Sequence, residues 1–508
     1  MFLFSPSVFS GGFLCGQQNA ATKTKQHFID KIHNFHFWEK NNRRKRSGGQ
    51  ELNGELNMKR FFLRISGDGV FKNAAVLSLA GIVAKIIGAV YRVPLAALLK
   101  SDGLGVYQLV FPLYCVLLTF SSAGVPSGIS KLVACGAEKE GLRKKAFLLF
   151  GVLGLIGSLT MFSFAEQIAS LQGDVRATSA YRALSPSVGI VSLISVIRGL
   201  FQGEADMVPT AVSQVTEQTV KAAASLALGY LFGKTAAEKA MFATLGVTLS
   251  EAVALIYLLV RLKKRSTRNK KENVAKTEAP SVSVSYRVLL TGVSAVTLSA
   301  VAVPLIRTAD SFFAVNLLDS SNATSLFGLY SGGAESVISL PVAVCYALAA
   351  SSIPALSKKS GEDKSALSSK IFNATFFVSS FSALALVIFS PLIVKILFSS
   401  LSAEESFTLT NLLRVSAPNV VLLSLIQCFS AYFISISKAA RSGINLIIAL
   451  PVKIIVLFLT LKNPRIGVYG CAFSDTACFF VAAFLDLVYI IRDKDNVRFC
   501  EREKDETC

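Results

Sequence analysis

Apolar residues along this chain come in long blocks separated by short polar breaks. The first two blocks read FKNAAVLSLAGIVAKIIGAVYRVPLAALL and VYQLVFPLYCVLLTFSSAGVPSGISKLVA, with the polar residues 100–103 between them. Each exceeds the roughly 20 apolar residues a helix needs to cross a hydrocarbon core. Blocks of this kind continue almost to the C-terminus and predict an all-α polytopic membrane protein of about twelve transmembrane helices, at 73–98, 106–134, 146–171, 181–202, 208–233, 239–261, 288–317, 328–357, 371–398, 411–434, 441–460 and 467–492. An even number places both termini on one side. Basic residues crowd the breaks on that side: Arg143, Lys144 and Lys145, the run from Arg261 to Arg287, then Lys358, Lys359 and Lys438. Lys and Arg bias loops toward the cytoplasm, so both termini are expected there.

The longest break divides the spans six and six, and a faint repeat supports the division. LSPSVGIVSLI (184–194) aligns with SAPNVVLLSLI (416–426), matching Pro186 with Pro418, and the same offset brings Val220-Lys221 onto Val452-Lys453. Six spans per half give both halves one orientation, hence a parallel repeat with a site expected between the lobes near mid-membrane. The expected organisation is an extension (1–57), an N-lobe (58–261), a basic cytoplasmic linker (262–287), a C-lobe (288–492) and a polar tail (493–508).

Composition changes this picture little. The chain has 508 residues, 52% of them hydrophobic, and a formal net charge of +20. The charge lies in short loops instead of one stripe, which argues against nucleic-acid binding. Nine cysteines without a CxxC read as small apolar residues. His27, His33 and His36 all fall in the first 57 residues. That stretch reads as an upstream extension without a role, ahead of a start at Met58, and no metal or cofactor is expected. GxxxxGK[ST], GxSxG and HExxH are absent, so nothing points to an enzyme.

The informative residues are charges inside apolar blocks, because a charge at membrane depth costs between about 2.5 and 17 kcal/mol and normally faces protein or water. These are Lys85, Arg92, Glu217, Lys221, Glu251, Arg307, Asp310, Glu335, Lys453 and Asp475. Glu217 with Lys221, and Arg307 with Asp310, are spaced to pair on one helix face. Arg92 and Arg307 occupy related places in the two halves, and a guanidinium is a permanent cation whose planar fork matches phosphate oxygens. Arg92, Arg307 and Lys85 are therefore the candidate diphosphate ligands. Glu217, Lys221, Glu251, Asp310, Glu335 and Lys453 are candidates for cavity polarity or ion coupling.

The stretch RGLFQGEADMVPTAVSQVTEQTVKAA (198–223), with GVYQLVFPLY (105–114) and GVPSGISKLVA (124–134), resembles the stage V sporulation protein B family of polysaccharide biosynthesis transporters. That family is similar to the MurJ-like lipid II flippases of the multidrug/oligosaccharidyl-lipid/polysaccharide exporter superfamily. The resemblance spans about residues 70 to 490. It implies a flippase in the bacterial plasma membrane that moves an undecaprenyl-diphosphate-linked wall or polysaccharide precursor to the outer leaflet by alternating access. Membrane lipids and a coupling Na+ or H+ are the implied partners, and a monomer is expected. Relatives often have two further helices that line a groove for the lipid tail, which this chain lacks by count. The alternatives are a cation-coupled drug or metabolite exporter of the same superfamily and a non-transporting scaffold for wall synthesis.

Overall fold

The computed structural model describes residues 69–272, 285–318, 320–358, 361–436 and 438–506. The expectations for residues 1–57 and for residues 273–284 of the basic linker lie outside the described residues. The helices are α1 (Gly69–Leu118), α2 (Val125–Ala134), α3 (Lys139–Ser163), α4 (Ala165–Leu171), α5 (Thr178–Gly203), α6 (Val208–Phe232) and α7 (Ala236–Glu272) in the first half. The second half comprises α8 (Tyr286–Leu317), α9 (Ala323–Phe327), α10 (Glu335–Lys358), α11 (Gly361–Leu397), α12 (Ala403–Val415), α13 (Ala417–Ser435), α14 (Ala440–Leu461) and α15 (Tyr469–Glu506). The described residues form no strand.

Among the described residues, ten helical stretches are long and apolar enough to cross a membrane. One of them, Val76–Ala134, takes in the first two expected spans. It is interrupted at Lys100, whose φ of 54° and ψ of −170° leave the helical region at the polar break read from the sequence. The span expected at 208–233 is not among the ten. Its helix, α6, carries Glu217, Lys221 and several Ser, Thr and Gln residues, and its polar face is buried inside the lobe. The tail expected after residue 492 continues α15 as a helix to Glu506.

Helix pairing reproduces the repeat. In the first half α1 packs on α6, α2 on α5, α3 on α5, α5 on α7 and α6 on α7. The second half has the equivalent set: α8 on α14, α10 on α13, α11 on α13, α13 on α15 and α14 on α15. Each half therefore builds one lobe with the same internal arrangement.

Burial follows the rules of a lipid solvent. On α11, Phe377, Phe381, Leu384 and Ile388 recur every three or four residues and are exposed, forming a bulky apolar stripe on one face. Small hydroxyls stitch the interior instead: Ser225 Oγ donates to Ala243 O (2.8 Å) and Thr248 Oγ1 to Ala183 O (2.7 Å). Interhelical bonds of this kind contribute about 0.6 kcal/mol each in a bilayer.

The loops segregate to two ends. At one end Arg265, in the basic extension of α7, pairs with Glu204 (2.7 Å) and Asp206 (3.0 Å) of the α5–α6 turn. At the other, Arg176 bridges Asp102 (2.8 Å) and Asp174 (2.7 Å), and Asp174 accepts from Thr324 of the second lobe (2.8 Å). Ser101 donates to Glu405 at this same end. Gly105 lies so close to the Thr324 carbonyl that a Cβ there would overlap it. The lobes are thus latched together at the end away from the basic segment.

Candidate functional site

Lys85 and Arg92 lie seven residues apart on α1 and share a face, as their spacing predicts. That face meets α10 of the other lobe. Arg92 Nη1 donates to Ser336 O (3.3 Å) and Ser339 Oγ (3.2 Å), while Lys85 Nζ lies 5.4 Å from the centroid of the Tyr346 ring. Among the described residues, no carboxylate comes within ion-pair distance of either cation. Two positive charges therefore sit on the seam between lobes, touching hydroxyl and carbonyl oxygens and an aromatic ring. Neutral oxygens and a ring face offset a cation's desolvation less well than a carboxylate does.

The N-lobe holds a second charged group behind this seam. Lys221 Nζ lies over the Tyr91 and Phe111 rings, 6.0 and 5.8 Å from their centroids. Glu217 and Glu251 both attract it. Glu217 itself pairs with Arg198 of α5 (3.0 Å), whose Nε donates to Ser213 Oγ (3.0 Å). Glu251 Oε1 accepts from Tyr114 OH (2.8 Å). Arg198 joins Glu217 from the neighbouring helix, a partner that same-helix spacing does not reveal. Arg198 escaped the sequence reading because it stands near the end of its block, where a charge costs little.

The C-lobe gathers Arg307, Asp310, Glu335, Lys453 and Asp475 into one network. Arg307 Nη1 lies 2.9 Å from Asp475 Oδ2 and 3.9 Å from Asp310 Oδ2, and it also contacts Glu335 Oε1. Lys453, wholly buried, bridges Asp310 (2.8 Å) and Asp475. Tyr330 OH donates to Asp475 Oδ2 (2.5 Å). A π-helical turn at Gly328–Ala334 precedes Glu335, so the Gly332-Gly333 pair widens a helix without breaking it. Such wide turns re-aim side chains at functional sites; this one supplies Tyr330 at its centre and Glu335 at its end.

One expectation needs correction here. Arg307 was to offer its fork to a diphosphate alongside Arg92, but three carboxylates already surround it. Its charge is used within the C-lobe, because a buried guanidinium draws in acids from every helix that can supply one. The two lobes nonetheless keep a shared plan. Lys221 of α6 is attracted by Glu251 of α7, and Lys453 of α14 pairs with Asp475 of α15, so in each half a lysine at the repeat-related position meets an acid of the next long helix, though the two acids stand at different positions along it. Asp310, Glu335 and Asp475 are close enough together to bracket a cation, and Arg307 and Lys453 already stand among them.

A family model described as "Polysaccharide biosynthesis protein" matches residues 70–360. The chain belongs to that family. Stage V sporulation protein B of Bacillus subtilis (strain 168) is 26% identical over 427 residues, 79% of this chain and 80% of its own length. Lipid II flippase MurJ of the same organism is 22% identical over 418 residues, 76% of each chain. Among solved structures, an inward-facing multidrug resistance MATE family transporter of the MOP superfamily aligns with a TM-score of 0.66 at 16% identity, covering 82% of this chain and 95% of its own. The fold is that of the superfamily's transporters. This member of the polysaccharide biosynthesis protein family is a multi-pass membrane transport protein.

Proposed function

We propose that the protein is a flippase of the bacterial plasma membrane that carries an undecaprenyl-diphosphate-linked saccharide, lipid II-like in its head group, from the inner to the outer leaflet. Lys85 and Arg92 carry this reading: two cations on the seam between lobes that have no carboxylate partner among the described residues. A diphosphate supplies the missing anion. Arg92 offers two parallel N–H donors and Lys85 a point charge, and Lys221 adds positive potential from behind. The prenyl tail remains in lipid, since moving it into a polar seam gains nothing. Twelve spans with both termini cytoplasmic set the basic segment on the entry side. The latch of Arg176, Asp174 and Thr324 then lies on the exit side and must open for release, as alternating access requires.

One observation favours a second reading. Arg307 is paired with carboxylates, as a cation-coupled exporter with working acids would have it. Reconstitution with a labelled polyprenyl-diphosphate sugar separates the two. The flippase reading expects the label to appear in the outer leaflet with wild type, and that transfer to be abolished in Arg92→Ala while a small cationic drug is not moved. Drug efflux without lipid transfer supports the exporter. Complementation of a deletion strain by a correctly inserted Lys85→Ala/Arg92→Ala double variant supports a scaffold.

A further inference from the structure

We propose that Ser339 is a positioning residue for the head-group site: its hydroxyl holds the Arg92 guanidinium across the seam without neutralising it, and so aims the fork that meets a diphosphate. The inference rests on the reading of that site as a diphosphate grip and assigns the C-lobe's share of it. The sequence led us to expect a second arginine, Arg307, in that share. Arg307 is instead committed to Asp310, Glu335 and Asp475.

Two matching stripes form the seam. Lys85 and Arg92 stand seven residues apart on α1, and Ser339 and Tyr346 stand seven apart on α10, so each pair shares a helix face. The faces meet in antiparallel order. Arg92 Nη1 lies against Ser336 O (3.3 Å) and Ser339 Oγ (3.2 Å), and Lys85 against the Tyr346 ring (5.4 Å). Ser339 is also fixed from its own side, because its Oγ donates to Ser336 O (2.7 Å). With its one proton committed there, the hydroxyl oxygen acts toward Arg92 only as an acceptor. The Ser336 carbonyl accepts from both side chains and closes the triangle.

This arrangement divides the guanidinium. Among the described residues Nη1 alone is engaged, which leaves the edge formed by Nη2 and Nε for a ligand. Two parallel bonds to phosphate oxygens require that edge to be aimed. The wide turn at Gly328–Ala334 ends just before Glu335, where adjacent residues of α10 serve different cations. Glu335 reaches Arg307, while Ser336 and Ser339 hold Arg92. Neutrality of the holder matters as much as its place. A carboxylate at position 339 would pair with Arg92 and compete with an anionic cargo. A hydroxyl holds the cation and leaves its charge for the ligand.

Affinity of the purified full-length protein for farnesyl diphosphate, with Tm recorded for every variant, tests this. Ser339→Ala loses one hydrogen bond and should bind roughly 2- to 12-fold more weakly than wild type. Ser339→Thr keeps the hydroxyl and should bind as wild type does. In an Arg92→Ala background Ser339→Ala should change nothing further, because the serine acts through that arginine. Ser339→Asp should lose the ligand as fully as Arg92→Ala while its Tm does not fall, since the new carboxylate has Arg92 as a partner. A merely structural serine would instead move Tm and leave affinity alone. Unchanged affinity in Ser339→Ala or Ser339→Asp overturns the proposal, as does an equal loss in Ser339→Thr or a loss that persists without Arg92. Absence of binding to wild type overturns it together with the diphosphate reading. Ser339-dependent binding by a protein that moves no polyprenyl-diphosphate sugar keeps the role of Ser339 and loses the flippase reading; equal lipid transfer by wild type and Ser339→Asp does the opposite.

Discussion

Lys453 has no exposed surface, yet it is one of the most polar groups a side chain can carry. It is tolerated because Asp310 and Asp475 close around it, and removing one member of such a network strands the others. Lys453→Met is expected to destabilise the protein by about 3–5 kcal/mol, read as a fall in Tm in detergent, while Lys453→Met/Asp475→Asn recovers part of the loss; a single variant with the wild-type Tm would contradict this. The members of the site were legible in the sequence because a charge stands out in an apolar block. Their partners were not. Spacing rules see only three or four residues along one helix, which found Arg307 with Asp310. They could not find Asp475, 168 residues further on, or Arg198 across from Glu217. The diphosphate role expected of Arg307 was argued without Glu335 and Asp475, the acids that other helices bring to it.

At the scale of elements, the apolar blocks fixed where helices run, and the breaks between them fixed most of the ends. The polar stretch at residues 100–103 appears as a single left-handed residue, Lys100. The two wide turns, Thr119–Ala123 and Gly328–Ala334, carried no usable signal beyond a glycine pair, because insertion of one residue into a helix depends on what the neighbouring helix demands. Close approach of α1 to α9 also rests on a missing side chain. Gly105→Val places branched carbons against the backbone of Thr324, and overpacking of this kind costs about 1–3 kcal/mol. The expected result is a lower Tm and easier separation of the lobes at that end, measured as faster maleimide labelling of a cysteine introduced at Ser101. Unaltered Tm and labelling would show that the contact does not matter.

For the molecule as a whole, the repeat was legible from a few aligned residues and is now visible in the pairing of helices. What no sequence pattern gave was the conformation. The latch at the end away from the basic segment holds the lobes together through hydroxyl-to-carboxylate hydrogen bonds, Thr324 to Asp174 and Ser101 to Glu405, with Arg176 fixing Asp174 from its own lobe. Burial alone would raise the Asp174 carboxyl, but the Arg176 guanidinium, the Thr324 hydroxyl and the Arg176 backbone N–H outweigh it and hold it below the ordinary carboxylate range. A depressed value means that the stabilisation is fully present above the ordinary pKa of about 3.9 and is lost as pH falls through the lowered one. Acidification should therefore loosen the latch. Asp174→Asn is expected to have a lower Tm than wild type at neutral pH and to lose less on acidification; parallel Tm curves for the two would rule the latch out as the titrating element.

The account turns on Lys85 and Arg92 as the grip on a diphosphate. Its most direct test is the affinity of the purified protein for a polyprenyl diphosphate, measured for wild type, Arg92→Ala and Arg307→Ala after each variant's folding is verified by Tm. A charge-assisted hydrogen bond contributes about 1.5–3 kcal/mol, so Arg92→Ala should bind roughly 10- to 100-fold more weakly while Arg307→Ala, where folded, changes affinity far less. Equal affinity for wild type and Arg92→Ala, or a loss confined to Arg307→Ala, would contradict it.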